Sequence, residues 1–114
     1  MTPTAEQIAY KVLTVSEFAD LQNSTFKGAQ IDQADGYIHL STAAQLSETV
    51  AKHFSGRTDL VIASVDIAAL GDNIRWETSR GGALFPHLYG RLLPENIITH
   101  CLLAFGPDGS VRLP

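Results

Sequence analysis

The chain has 114 residues, 45% of them hydrophobic and 18% charged, which fits one domain over 1–114 and excludes a disordered chain. Eight Lys and Arg against 12 Asp and Glu leave a net charge of −4; with no basic run there is little pull on nucleic acid or anionic lipid, and neither is expected as a partner. No apolar run approaches the ~20 residues of a membrane span, no export signal is visible, and the lone Cys101 excludes an internal disulfide, so a cytoplasmic protein is expected.

Residues 1–7 are expected to be a loose end. IAYKVLT (8–14) is rich in β-formers and reads as the first strand. Thr14 and Glu17 make a capping box that opens a helix over 15–22, burying Phe18 and Leu21. Residues 23–36 have no sustained period and read as a long loop, of the kind that more often serves function. YIHLS (37–41) alternates, with Ile38 and Leu40 on one side and Tyr37, His39 and Ser41 on the other. Thr42 and Gln45 repeat the capping box and open a helix over 43–54, with Leu46, Val50 and Phe54 on its apolar face and Gly56 past its end.

LVIASVD (60–66) is a nearly continuous apolar run and reads as a central buried strand. NIRWE (73–77) alternates, TSRGG is a turn, and ALFPHLYG places Phe85, His87 and Tyr89 on one face; its Pro86 suits an edge, a bulge or a strand start. IITHCLLAF (97–105) reads as another buried strand, and GPDG turns SVRL (110–113) back to pair. The order gives an α+β fold of about seven short strands and two helices on a mostly antiparallel, bent sheet.

Three strand segments each carry two polar groups at i,i+2: His39/Ser41, Arg75/Glu77 and His87/Tyr89. If those faces converge, one cleft holds two imidazoles, a hydroxyl, a carboxylate and a phenol, with loop 23–36 over its mouth. Arg80, among small residues, suits an anion-binding corner. Each feature also has a plain structural use. Thr42 and Ser41 sit where a helix cap is needed, polar strand faces often just meet water, and Glu77 can pair with Arg75 or Arg80 at the surface. Gly81 and Gly82 suit a turn with positive φ, His53 belongs to its helix, and Trp76 reads as core. His100 and Cys101 point to opposite sides of a strand. No metal-binding spacing occurs, so no metal is expected, although a zinc site from His39, His87 and Glu77 is sterically conceivable. Nucleophile-elbow and phosphate-loop patterns are absent as well.

DGYIHLST, HFSG at the end of the second helix, DLVIASVD, RWETSRGG and FPHLYG, in that order, resemble the domain of unknown function 952 family from about Tyr10 to Asn96. That family looks like a member of the ADP-ribosyltransferase-like fold superfamily, whose members bind NAD in a cleft between the halves of a split sheet. The resemblance implies NAD as substrate and a small-molecule nucleotide as partner. YIHLS is similar to the HVHLS-type strand of RNA 2′-phosphotransferases, which puts His39 and Ser41 at the nicotinamide-ribose end and His87 and Tyr89 near the dinucleotide. Tyr10-Lys11 stands where the better-known transferases have His-Gly or Arg, and Glu77 stands in for their catalytic glutamate.

The expected catalytic set is therefore His39, Ser41, Glu77 and His87, with Lys11, Tyr37, Thr42, Arg80 and Tyr89 binding the nucleotide. Cleaving the nicotinamide–ribose bond builds positive charge on the sugar; a carboxylate near that carbon stabilises it, and Arg80 or Lys11 balances pyrophosphate. Two other readings stay open: a non-catalytic nucleotide or metabolite binder on the same fold, and a metal-assisted hydrolase.

Overall fold

The structure is a computed structural model that describes residues 7–114, with Arg80 described in its backbone only. Of the expected loose start, residues 1–6 lie outside the described residues; Gln7 is tied down, its carbonyl accepting from Ile67 N at 2.9 Å.

The apolar runs become one three-stranded antiparallel sheet. Strand β1 (Ile8–Thr14) pairs along its full length with β3 (Leu60–Asp66), which pairs on its other side with β6 (Ile97–Leu102). Strand β3 is central, and its continuous hydrophobicity follows from cover on both faces. Val61, Ala63 and Val65 join Ala9, Leu13, Phe18 and Leu21 in the larger core, while Leu60 and Ile62 join Tyr10, Val12, Leu46 and Val50 in a second one. Helix α1 (Val15–Gln22) supplies Phe18 and Leu21, and α3 (Ala43–His53) supplies Leu46 and Val50. Both start at the expected capping boxes: Thr14 Oγ1 accepts from Glu17 N, Thr42 Oγ1 from Gln45 N, and each glutamyl or glutaminyl oxygen accepts in return.

The second sheet has the order β2-β5-β4, all antiparallel: β2 is Ile38–His39, β5 is Leu84–Leu88 and β4 is Ile74–Thr78. A short crossing joins the two sheets. Leu40 N donates to Pro86 O at 3.1 Å, and one residue later Ser41 exchanges both backbone hydrogen bonds with Tyr10 of β1, at 2.8 and 2.9 Å. The radius of gyration, 13.1 Å, is that of one compact body of this length.

The sequence expectations need several corrections. The strand expected over 37–41 is only two residues long. Pro86 lies in a central strand rather than at an edge: it faces β2 with a carbonyl but no N–H, so the ladder cannot continue past Leu40. The segment 23–36 is not all loop, because a third helix, α2 (Gln30–Asp35), lies within it. Apolar periodicity could not reveal it, since its buried residue is Asp32 while Ile31 is 54% exposed. Trp76 is 46% exposed, not core: β4 is an edge strand, and only Ile74 on that face reaches the core. Strand β6 is an edge strand as well, with Ile98 and Leu102 largely exposed. SVRL contributes a single bridge, Val111 to Phe105, instead of a seventh strand. Among the described residues, no helix is long and apolar enough to cross a membrane.

Candidate functional site

His39, His87 and Arg75 stand side by side on three neighbouring strands, because His39 pairs with His87 in register and His87 with Arg75. Directly opposed residues of an antiparallel sheet share a face. Tyr37, just before β2, lays its ring on His87 with centroids 4.1 Å apart and planes 20° from parallel. It also lies 4.7 Å from the His39 ring and 5.2 Å from Tyr89, and the two imidazoles are 5.5 Å apart, edge to face. The Arg75 guanidinium sits 4.9 Å over the Tyr89 ring.

Each imidazole has a carboxylate. Glu77 Oε1 accepts from His87 Nδ1 at 2.8 Å and from the Tyr89 hydroxyl at 2.7 Å. The bond from Tyr89, then that from His87, holds the Glu77 carboxyl below its usual range, and the same contact pushes the Tyr89 phenol up. Tyr37 is also pushed up, first by burial and then by the charges of Asp35 and Glu77.

His39 is held by α2. Asp32 Oδ1 accepts from both His39 N (3.0 Å) and His39 Nδ1 (2.7 Å), and Oδ2 accepts from Lys11 Nζ (2.9 Å) and Ala29 N (2.8 Å). Burial alone would raise the Asp32 carboxyl, but the His39 bonds and the Lys11 charge prevail and bring it down to about 2. At the other edge of the ring, His39 Nε2 lies 3.0 Å from Asp35 Oδ2. Beside Tyr37 opens a depression of about 180 Å³, lined by Lys27, Asp32, Gln33, Gly36 and Gly90 among others.

The structure thus gathers Tyr37, His39, Glu77, His87 and Tyr89 around one surface, and α2 lies at its margin, where a covering loop was expected. Other expected members are engaged elsewhere. The Ser41 hydroxyl bonds Thr49 Oγ1 of α3 at 2.9 Å, because the chain has by then crossed to β1. Thr42 uses its hydroxyl to cap α3. Lys11 does not face a pyrophosphate site: its ammonium is buried against Asp32 and donates to His39 O at 3.1 Å. The Arg80 side chain lies outside the described residues, while Gly81 and Gly82 take the positive φ expected of that turn, at 67° and 79°.

Asp32 and Asp35 were absent from the expected set. A local signal existed: Asp32 follows Ala29 by three residues, as a capping carboxylate does, and Gly36 ends the helix in the left-handed conformation, φ 86°. Among the described residues, no three His, Cys, Asp or Glu side chains are arranged to hold a metal. In the zinc set considered from sequence, Glu77 and His87 bond each other, while His39 bonds Asp32 and Asp35.

The family model described as protein of unknown function, DUF952, matches residues 12–100. The chain belongs to the DUF952 family. The matched span contains every residue of the ring cluster and its three carboxylates. Among solved structures, the crystal structure of protein CC0527 from Caulobacter crescentus is 40% identical with a TM-score of 0.83, covering 92% of this chain and 93% of that one. The solution NMR structure of CC0527 is 41% identical with a TM-score of 0.77, covering 91% and 90%. No curated protein matches. The similarity to CC0527 extends over nearly the whole chain of this DUF952 protein, and the two share one fold.

Proposed function

We propose that this DUF952 protein binds NAD at the ring cluster and cleaves the nicotinamide–ribose bond, passing the ADP-ribosyl group to water or to an acceptor hydroxyl, on an ADP-ribosyltransferase-like fold and in the cytoplasm. The observation that carries the reading is the meeting of His39 and His87, from distant parts of the chain, beside Tyr37, whose ring touches both imidazoles and Tyr89, with an ionised Glu77 bonded to His87 and Tyr89. Two antiparallel sheets joined by the crossing at residues 38–41 support the fold reading.

The chemistry follows from these groups. Aromatic faces offer a surface for a flat, cationic nicotinamide ring. As the C1′–N bond breaks, its electron pair goes to the nicotinamide nitrogen and positive charge builds on the ribose carbon. Glu77 Oε1 is taken by Tyr89 and His87, which leaves Oε2 to face that charge. A carboxylate fixed beforehand stabilises the transition state without reorganising. The oxygen of water or of the acceptor then bonds to C1′ and releases its proton to solvent.

Incubating the protein with NAD and measuring free nicotinamide by chromatography tests the proposal. The wild type should release nicotinamide, and Glu77→Gln should slow release by roughly 100-fold or more while still binding NAD. A rise in melting temperature with no nicotinamide would make the site a non-catalytic nucleotide binder. If NAD gives neither a melting shift nor nicotinamide, the proposal fails.

A further inference from the structure

Both ring nitrogens of His39 face carboxylates, but the two carboxylates differ in kind. Asp32 is fixed: its side chain is 1% exposed and four donors converge on it. An ionised carboxylate only accepts, so the contact at Nδ1 requires a proton there, sets the ring's orientation, and makes Nε2 the outward nitrogen. Asp35 is loosely held. Its side chain is 43% exposed, its contact with Nε2 reaches only four residues along the chain, and left-handed Gly36 follows it. Holding Asp35 there also places a negative charge beside Tyr37, on the surface where the proposed ligand would lie.

We infer that Asp35 occupies, in the free protein, the place that a ribose hydroxyl of the bound nucleotide takes on His39 Nε2, and that Asp32 is the positioning residue that aims this nitrogen. The Asp35 carboxylate accepts the Nε2 proton, and the oxygen of a hydroxyl can accept that same proton in its place. The identity of the ligand rests on the NAD reading above; the screening of Nε2 by Asp35 does not. Ligand entry therefore exchanges one oxygen for another at the imidazole, and the protein competes with its own substrate. Removing Asp35 should then strengthen binding, the opposite of what losing a ligand contact would do.

Two measurements on the intact chain test this. The first is the rate at which diethyl pyrocarbonate modifies His39, mapped by mass spectrometry, with exposed His100 of β6 as the internal reference. Asp35→Ala should speed modification of His39 by roughly three- to tenfold and leave His100 unchanged; an equal rate overturns the screening. The second is NAD affinity by calorimetry for the wild type, Asp35→Asn and Asp35→Ala. The alanine variant, with neither charge nor acceptor, should bind roughly three- to tenfold tighter than wild type. The asparagine variant, which keeps an acceptor oxygen, should fall between them. Equal gains in the two variants would report lost charge alone and overturn the exchange, as would unchanged or weaker binding in the alanine variant. If no variant binds NAD, the nucleotide reading and the hydroxyl exchange both fall, and the modification rate alone decides whether Asp35 screens Nε2.

Discussion

The two imidazole–carboxylate pairs of the site have the same contact and opposite burial. In the pair from α2 and β2, the acid is buried (Asp32, 2% exposed) and the imidazole faces outward (side chain 30% exposed). In the pair from β4 and β5, the imidazole is buried (His87, 3% exposed) and the acid lies at the edge (side chain 38% exposed). Under the proposed function, the difference separates support from chemistry. A carboxylate surrounded by four donors, one of them the buried Lys11 ammonium, belongs to the framework and holds His39 in place. A carboxylate at the rim, bonded by Tyr89 and His87, remains available to a ligand.

That contrast is broken if the two acids behave alike when removed. The largest effect should come from Asp32→Ala, which leaves Lys11 charged, buried and without its counter-ion. Losing one partner of such a pair costs about 3–5 kcal/mol, and urea unfolding followed by circular dichroism should show it. Acid titration should give the next largest effect. The Asp32 carboxyl falls from its ordinary 3.8 to about 2 on folding, so its contribution is complete above 3.8 and is lost as pH falls from there towards 2. A shift of that size is worth about 2 kcal/mol, and in Asp32→Asn the decline in stability over this window should flatten. The smallest effect on unfolding should be that of Glu77→Gln, whose acid is partly exposed on edge strand β4 and whose amide oxygen can still accept from Tyr89 or His87; the midpoint should hardly move while nicotinamide release collapses. A large loss of stability in Glu77→Gln, or none in Asp32→Ala, would reverse the assignment of framework and chemistry.

Legibility in the sequence followed the range of the interactions. The capping boxes at Thr14/Glu17 and Thr42/Gln45 are contacts over three residues, so residue identity sufficed to place both helix starts. The apolar run of β3 announced a strand covered on both faces. Alternation along β4 and β5 correctly put Arg75 with Glu77 and His87 with Tyr89, because the two-residue period is a property of one strand alone. The same rule failed for Ser41, because the chain leaves the second sheet after His39 and its next partner is Tyr10 of β1.

What the amino-acid sequence determined by itself was therefore local: which segments are helix or strand, where the helices begin, and which polar side chains share a strand face. Only the tertiary structure decided that β5 is central despite Pro86, that His39 and His87 oppose each other, and that Lys11 and Asp32, 21 residues apart, form a buried pair beneath the site. The physical reason is that caps and periods are set by neighbours along the chain. Strand order and the pairing of buried charges depend on which surfaces pack together, and a buried acid in a short helix looks, along the sequence, just like a polar loop residue.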